Sequence, residues 1–521
     1  MTAADSSIAP TTMNASRNRW TLLAVCAGTF MLLVDVTIVQ VALPTIQRHL
    51  GASFTDLQWV IDAYALSLAA LILTWGSISD NFGRKHVFIA GLTVFTASSL
   101  LCGLAQSINM LIWSRALQGV GGAAMFATGL ALIAQDFQGP ARGKAIAAWG
   151  ATVGGAVAIG PLVGGLLTSG VGWRWIFIVN VPIGVVAIWF SSTKMRNQKD
   201  PGATRLDVLG LVSFSAAMFL LELGLIRGNS LGWSSSPILA MFCGSAAAFI
   251  AFIVFELRQS RPMFDLSLFR KPGFSGVSLG TFAVGGGMFA LLPYLTLYLQ
   301  NDLGYSPLGG GLRLLPMTIL TFLVPFMFRG PIHKLPPGLV LGGGIAITAS
   351  GIVALLAVGP NSSWTILIPG MMLSGIGIGI ANPAIARVGL GVVPPERSGM
   401  ASGLSNTFRI GGLATGVAAL GAIFQQRITT SMSASAGAHA AAIGRVISSA
   451  GIKAAAHGNS AVAEAARVAF VSGLRTIFII GAIIVALGAL AAACLVRSKD
   501  FHAATPPAPA PEPARTVSET S

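Results

Sequence analysis

The chain has 521 residues, of which 54% are hydrophobic and 9% charged, with a mean hydropathy of +0.77. A soluble domain carries roughly a quarter charged residues, so this composition excludes a water-exposed globular surface. The net charge of +15 does not mark a nucleic-acid binder, because the cations sit in short loops rather than on one folded face.

The apolar residues recur in runs of about 18–25, each long enough to cross a bilayer core of about 30 Å. A β-barrel would alternate over short segments instead. The fold class is therefore an all-α polytopic membrane protein, with the lipid bilayer as its surroundings. Taken in chain order, the runs predict fourteen helices: 19–43, 56–78, 86–105, 110–135, 144–168, 173–191, 207–226, 236–256, 273–298, 308–328, 339–358, 364–386, 398–424 and 471–496. Residues 1–18 are polar and lead directly into the first run, so no secretory signal is expected. Cys26, Cys102, Cys243 and Cys494 all fall inside apolar runs. They form neither a disulfide framework nor a metal-ligand spacing, and no metal or cofactor is expected.

Cations cluster in alternate loops. One set holds Arg84 and Lys85; Arg142 and Lys144; Lys194, Arg196, Lys199 and Arg205; Arg258, Arg261, Arg270 and Lys271; Arg329 and Lys334; and Arg387 and Arg397. The tails add Arg17, Arg19, Arg497 and Lys499, whereas the opposite short loops hold only Arg48, Arg174 and Arg227. The positive-inside rule puts the first set and both termini in the cytoplasm. The expected location is the inner (cytoplasmic) membrane.

An internal repeat divides the chain. Pro140-Ala141-Arg142-Gly143 recurs as Pro395-Glu396-Arg397-Ser398, about 255 residues on, and Gly154-Gly155 is echoed by Gly411-Gly412. One helix earlier, Gly119 and Gly121 are echoed by Gly375 and Gly377. The helices then group as 6 + 2 + 6. A tail (1–18) precedes an N-terminal bundle (19–191), a two-helix insert (207–256), and a C-terminal bundle (273–496) with a long extracytoplasmic loop (425–470). A disordered Pro/Ala-rich tail (497–521) closes the chain. Two pseudo-equivalent bundles flanking a midplane cavity are transporter architecture.

The polar run Gly76-Ser77-Ile78-Ser79-Asp80-Asn81-Phe82-Gly83-Arg84-Lys85 resembles the signature between the second and third helices of the major facilitator superfamily. Arg115-Ala116-Leu117-Gln118-Gly119 is similar to its fourth-helix signature. Gly160-Pro161-Leu162-Val163-Gly164-Gly165 resembles the antiporter signature of the fifth helix, with Ala156 replacing its first glycine. Leu33-Val34-Asp35-Val36-Thr37 in helix 1 and Trp173-Arg174-Trp175 through Asn180 at helix 6 extend the likeness to the 14-helix drug:proton antiporter family. The resemblance implies the major facilitator fold and proton-driven export of amphipathic, often cationic, drugs or toxic compounds. Its partners would be small-molecule substrates and protons, with no ATPase subunit.

Proton coupling needs a membrane-embedded group that gains and loses a proton. An ionised side chain at that depth costs at least about 2.5 kcal/mol, so each one invites an explanation. The candidates are Asp35, Asp62 and Glu222, with Arg115 modulating the first. At about 1.5 Å rise per residue, Asp35, Asp62 and Arg115 fall in one layer. The competing reading is a permanent Asp–Arg pair holding helices together. Glu222 reads as a second proton or cation site, or as an interfacial acid paired with Arg227. Arg313 and Arg409 also lie at membrane depth, either as structural or cavity-lining residues, or binding an anionic substrate group, or meeting Asp35 or Asp62.

Gly76, Asp80, Gly83 and Arg84, with Asp136 at the end of helix 4, form a candidate conformational latch. Asp80 would cap a helix across the bundle interface, and Arg84 would meet Asp136. The alternative is a solvated cytoplasmic loop. Gly160, Pro161, Gly164 and Gly165 suit close helix packing beside the interface. Phe30, Trp59, Tyr64, Phe126, Trp149, Asn406 and Phe408 are candidate lining for a substrate cavity.

A multidrug antiporter heads the functional readings. A dedicated exporter of one metabolite or natural product is the alternative, followed by a non-transporting sensor. No catalytic constellation, nucleotide loop or nucleophile motif supports an enzyme.

Overall fold

The computed structural model describes residues 9–137, 139–197, 207–259, 266–327, 335–393, 398–436, 443–444, 446–447 and 460–497. The first half comprises α1 (Ala9–Leu50), α2 (Phe54–Phe82), α3 (Arg84–Gly103), α4 (Ile108–Asp136), α5 (Gly139–Gly170), α6 (Trp175–Ile178) and α7 (Asn180–Lys194). Next come α8 (Val208–Leu231) and α9 (Ser236–Arg258). The remainder comprises α10 (Pro272–Gly287), α11 (Leu292–Leu297), α12 (Pro307–Arg313), α13 (Leu315–Met327), α14 (Pro337–Leu355), α15 (Ile368–Gly391), α16 (Ser398–Ala436) and α17 (Ser460–Leu495). No strand occurs among the described residues.

Among the described residues, eleven helices are long and apolar enough to cross a membrane, or twelve if α12 and α13 form one span bent by 43°. Of the fourteen expected positions, the second and fifth hold α2 and α5, which are 29 and 32 residues long. Local chemistry sets several ends. Ser53 and Asp56 form a reciprocal capping box at the start of α2, with Asp56 N–H donating to Ser53 Oγ at 3.2 Å and Ser53 N–H to Asp56 Oδ2 at 2.8 Å. Asp207 caps α8 by accepting from Gly210 N–H at 2.8 Å.

Several boundaries differ from expectation. α1 begins at Ala9 within the expected tail, α16 runs on to Ala436, and α17 begins at Ser460. The last two take residues from both sides of the expected 425–470 loop. The extension is packed rather than solvated: Ile428, Met432 and Phe470 are buried, and the Phe424 and Phe470 rings meet edge-on at 5.2 Å. The expected helix 273–298 is interrupted by a 3₁₀ turn (Phe289–Leu291) ahead of Pro293 and ends in a π turn (Tyr298–Asp302). Proline lacks the N–H that an unbroken helix would use there.

The repeat has a packing counterpart. A Cβ on Gly121 of α4 would stand 2.8 Å from the Gly91 carbonyl oxygen of α3, and one on Gly377 of α15 would stand 2.6 Å from that of Gly344 on α14. Equivalent glycines thus hold equivalent helix pairs at backbone contact. The Pro395–Arg397 half of the repeat, Arg329 and Lys334 lie outside the described residues.

α8 packs on α2 and α16 as well as on α9. Its links include Asn229 Nδ2 donating to the Ala422 carbonyl at 2.6 Å, and Ser245 Oγ of α9 donating to Ala217 O at 2.8 Å. Among the described residues, three hydrogen bonds join the halves toward the Leu50 end of the molecule. Gln300 Nε2 donates to Val41 O (2.8 Å), Leu308 N–H to Ser169 Oγ (3.0 Å) and Gln58 Nε2 to Val417 O (3.3 Å).

Candidate functional site

α1, α2, α3, α4 and α7 converge on a buried polar network. Asp35 and Arg115, 0% and 1% exposed, form a direct ion pair through Arg115 Nη1 and Asp35 Oδ2. Arg115 also donates to the Val60 carbonyl at 3.1 Å and to Gln118 Oε1 at 2.8 Å. Gln118 Nε2 donates to Asp35 Oδ1 and to Ser99 Oγ, both at 3.0 Å. Ser99 accepts from Asn180 Nδ2 at 3.0 Å and donates to the Phe177 carbonyl at 3.1 Å. The guanidinium lies 4.0 Å from the Tyr64 ring centroid, and the Tyr64 hydroxyl donates to Leu32 O at 3.3 Å. Both Asp35 oxygens are thus satisfied, as a buried charge requires.

Arg115 and Gln118 are three residues apart on α4, so one helix face presents both. On α2, Val60 and Tyr64 share a face by their four-residue spacing. Asp62, two residues from each, points to the opposite side. Asp62 therefore has no bond to the Asp35–Arg115 network among the described residues. It is fully buried, and neither carboxyl oxygen has a hydrogen-bond partner. α2 packs on α8 beside it, through Trp59 and Phe219, and α8 carries Glu222, which is equally buried and likewise unpartnered at both oxygens among the described residues. Glu222 therefore does not pair with Arg227, which is exposed; five residues separate them, well over a full helical turn and out of phase. Arg409 donates to Asn406 Oδ1 at 2.9 Å, and Arg313 lies 3.4 Å from the Tyr305 ring centroid.

The seven candidate lining residues have different neighbours. Tyr64 lines a small cavity with Val36, Ile61, Arg115, Ile410 and Leu413, between α1, α2, α4 and α16. Trp59 packs on Phe219 of α8, with centroids 6.2 Å apart. Phe126 and Trp149 pair at 6.0 Å, and Trp149 Nε1 donates to Thr29 Oγ1 at 3.0 Å. Phe30 rests half-buried against the core. Phe408 meets Phe269 at 5.7 Å, and Asn406 holds Arg409. Aromatic side chains at helical spacing follow their own helix faces, and those faces diverge.

The antiporter-like glycines lie at close approaches. A Cβ on Gly164 would stand 2.9 Å from the Ile38 carbonyl oxygen of α1, and one on Gly165 would stand 2.8 Å from Pro307 O at the start of α12. Gly160 abuts Thr37. A Cβ on Gly311 of α12 would in turn stand 2.5 Å from Pro161 O.

In the polar run, Gly83 joins α2 to α3 at φ +98°, a conformation that favours glycine. Arg84 Nη1 donates to Ala131 O at 3.4 Å and Lys85 Nζ to Ser192 O at 2.7 Å. Asp136 accepts from Thr21 Oγ1 at 2.5 Å on its carboxylate and from Asn18 Nδ2 at 2.6 Å on its carbonyl. These bonds stay within the first half. The Gly76 Cα faces open space, and the Asp80 side chain lies outside the described residues.

Sequence reasoning quoted Gln118 and Asn180 only as motif residues, although amides inside apolar helices were a usable signal. It missed Asp302, whose carboxyl is buried 3.6 Å from Arg467 Nε of α17.

The described residues form a polytopic helical bundle with buried charge between its helices. The family model of the Major Facilitator Superfamily matches residues 25–419, and the chain belongs to that superfamily. It is 33% identical over 404 residues to the multidrug resistance protein Stp of Mycobacterium tuberculosis, covering 77% of this chain and 75% of Stp. It is also 33% identical over 430 residues to the tetracenomycin C resistance and export protein of Streptomyces glaucescens, covering 81% of this chain and 79% of that protein. A bacterial homologue of the human lysosomal transporter Spinster, in an inward-facing and unoccupied conformation, shares the fold. Its TM-score is 0.64 at 16% identity, covering 94% of this chain and 99% of the neighbour.

Proposed function

We propose that this transporter is a proton-coupled antiporter that exports amphipathic, often cationic, compounds across the cytoplasmic membrane, with both termini cytoplasmic. The observation that carries the reading is the Asp35–Arg115–Gln118 network, buried and bordering the cavity between the halves. When Asp35 takes up a proton the ion pair is lost. Arg115 then keeps the Val60 carbonyl, Gln118 and the Tyr64 ring as partners. Protonation therefore changes the electrostatics next to the cavity without leaving the guanidinium bare.

Similarity to a protein named for tetracenomycin C resistance and export favours a second reading, a dedicated exporter of one natural product. The test uses energised inverted vesicles with a panel of cationic, neutral and anionic compounds. Drug-dependent proton release is expected, and Asp35→Asn should abolish it. Proton-coupled transport that survives Asp35→Asn would remove Asp35 from the mechanism. Response to a single compound would favour the dedicated exporter.

A further inference from the structure

Arg409 is a cation at membrane depth that stands outside the Asp35 network. It lies within the apolar span Leu404–Ser433 of α16 and is half-buried. Nη2 donates to Asn406 Oδ1 at 2.9 Å, one turn away on the same helix. Nε and Nη1 have no protein partner, and both reach open space. Whichever hydrogen of Nη2 Asn406 takes, one guanidinium edge with two parallel N–H groups stays free. No carboxylate forms an ion pair with Arg409 among the described residues. Arg115, by contrast, has an acid, an amide and a carbonyl on its donors. An ionised side chain at this depth costs at least about 2.5 kcal/mol, and here no protein counter-charge offsets it.

Helix phase turns the free edge to the interface between the halves. Asn406, Arg409, Ile410 and Leu413 follow the i, i+3, i+4, i+7 pattern of a single helix face. Ile410 and Leu413 line the small cavity between α1, α2, α4 and α16, together with Val36, Ile61, Tyr64 and Arg115. A Cβ on Gly285 of α10 would strike the Arg409 carbonyl oxygen, and one on Gly412 would strike that of Phe282. Backbone contact at these glycines holds α16 in that phase. An apolar wall with an uncompensated guanidinium at its edge suits an amphipathic molecule that carries one anionic group. Arginine matches the geometry of such a group through two parallel N–H bonds. The acids of the neighbouring helices do not take that place: Asp35 is held by Arg115 and Gln118, and Asp62 and Glu222 accept from no described group.

We propose that Arg409, held by Asn406, binds the anionic group of an amphipathic organic acid, a carboxylate or sulfonate, at the interface between the halves. The bound pair is neutral, which offsets the cost of a lone cation in the membrane. The substrates then include organic anions beside cationic compounds. Transport of these anions rests on the export reading; their binding does not.

The full-length protein in phosphatidylcholine nanodiscs would be titrated with radiolabelled probenecid, an amphipathic carboxylate, and with its uncharged methyl ester. The acid should bind at least about tenfold more tightly than the ester. Arg409→Gln should weaken acid binding at least about tenfold and leave ester binding unchanged. Arg409→Lys, which keeps the charge but not the planar fork, should restore part of the loss. Equal weakening of both ligands would make the arginine structural and overturn the site. So would equal affinity for acid and ester in the unmodified protein, or undiminished acid binding in Arg409→Gln. Phosphatidylglycerol added to the nanodiscs should leave acid binding intact; displacement of the acid would assign the site to a lipid phosphate and overturn the organic-acid class. If vesicles show no drug-driven proton flux while Arg409-dependent binding persists, the export reading fails and the site stands. If flux persists and Arg409→Gln binds the acid as before, the export reading stands and the site falls.

Discussion

Asp35 and Asp62 are the same residue type and equally buried, yet their surroundings differ at every carboxyl atom. Asp35 has an arginine and an amide on its two oxygens; Asp62 has no hydrogen-bond partner among the described residues. The first is built into the helix packing of its bundle. The second depends on a proton or a ligand for neutrality. Burial alone therefore does not define a role; the partner set does.

The largest effect that would test this contrast is on stability. Arg115→Ala leaves Asp35 buried without its cation and should cost about 3–5 kcal/mol, read by thermal unfolding in detergent. Adding Asp35→Asn to it should recover part of that loss. A double variant no more stable than Arg115→Ala would show that the arginine acts through packing instead.

Gln118→Leu comes next. It removes the amide that joins Asp35 to Ser99 and should cost about 1–3 kcal/mol. The same melting curve provides the check, with a matching fall in drug-driven proton flux.

The smallest shift is expected at the other acid. Asp62→Asn breaks no hydrogen bond among the described residues, so stability should stay within about 0.5 kcal/mol. A loss as large as that of Arg115→Ala would break the comparison and point to a structural partner for Asp62.

Much of the fold was legible because bilayer length imposes a coarse rule. Runs of apolar residues must be helices, and loop charges divide into two sets. Boundaries read less well where a helix outlasts the membrane. α16 passes its expected end because Ile428 and Met432 find apolar neighbours beyond it. The ion pair of Asp35 and Arg115 was foreseeable, since each is a lone charge in an apolar run. The aromatic lining was not, because ring orientation depends on helix phase and on the neighbour each face meets.

The sequence by itself determined the class of protein, its helical spans and the residues too costly to bury without purpose. Hydropathy and charge are local properties, and the bilayer reads them locally. Only the tertiary structure decided partnership. Trp59 and Phe219 lie 160 positions apart, and they meet because the rotation of α2 turns that side away from Arg115 while α8 packs against it. A 100° step per residue, fixed by the helix, becomes a contact only once the neighbouring helix is in place.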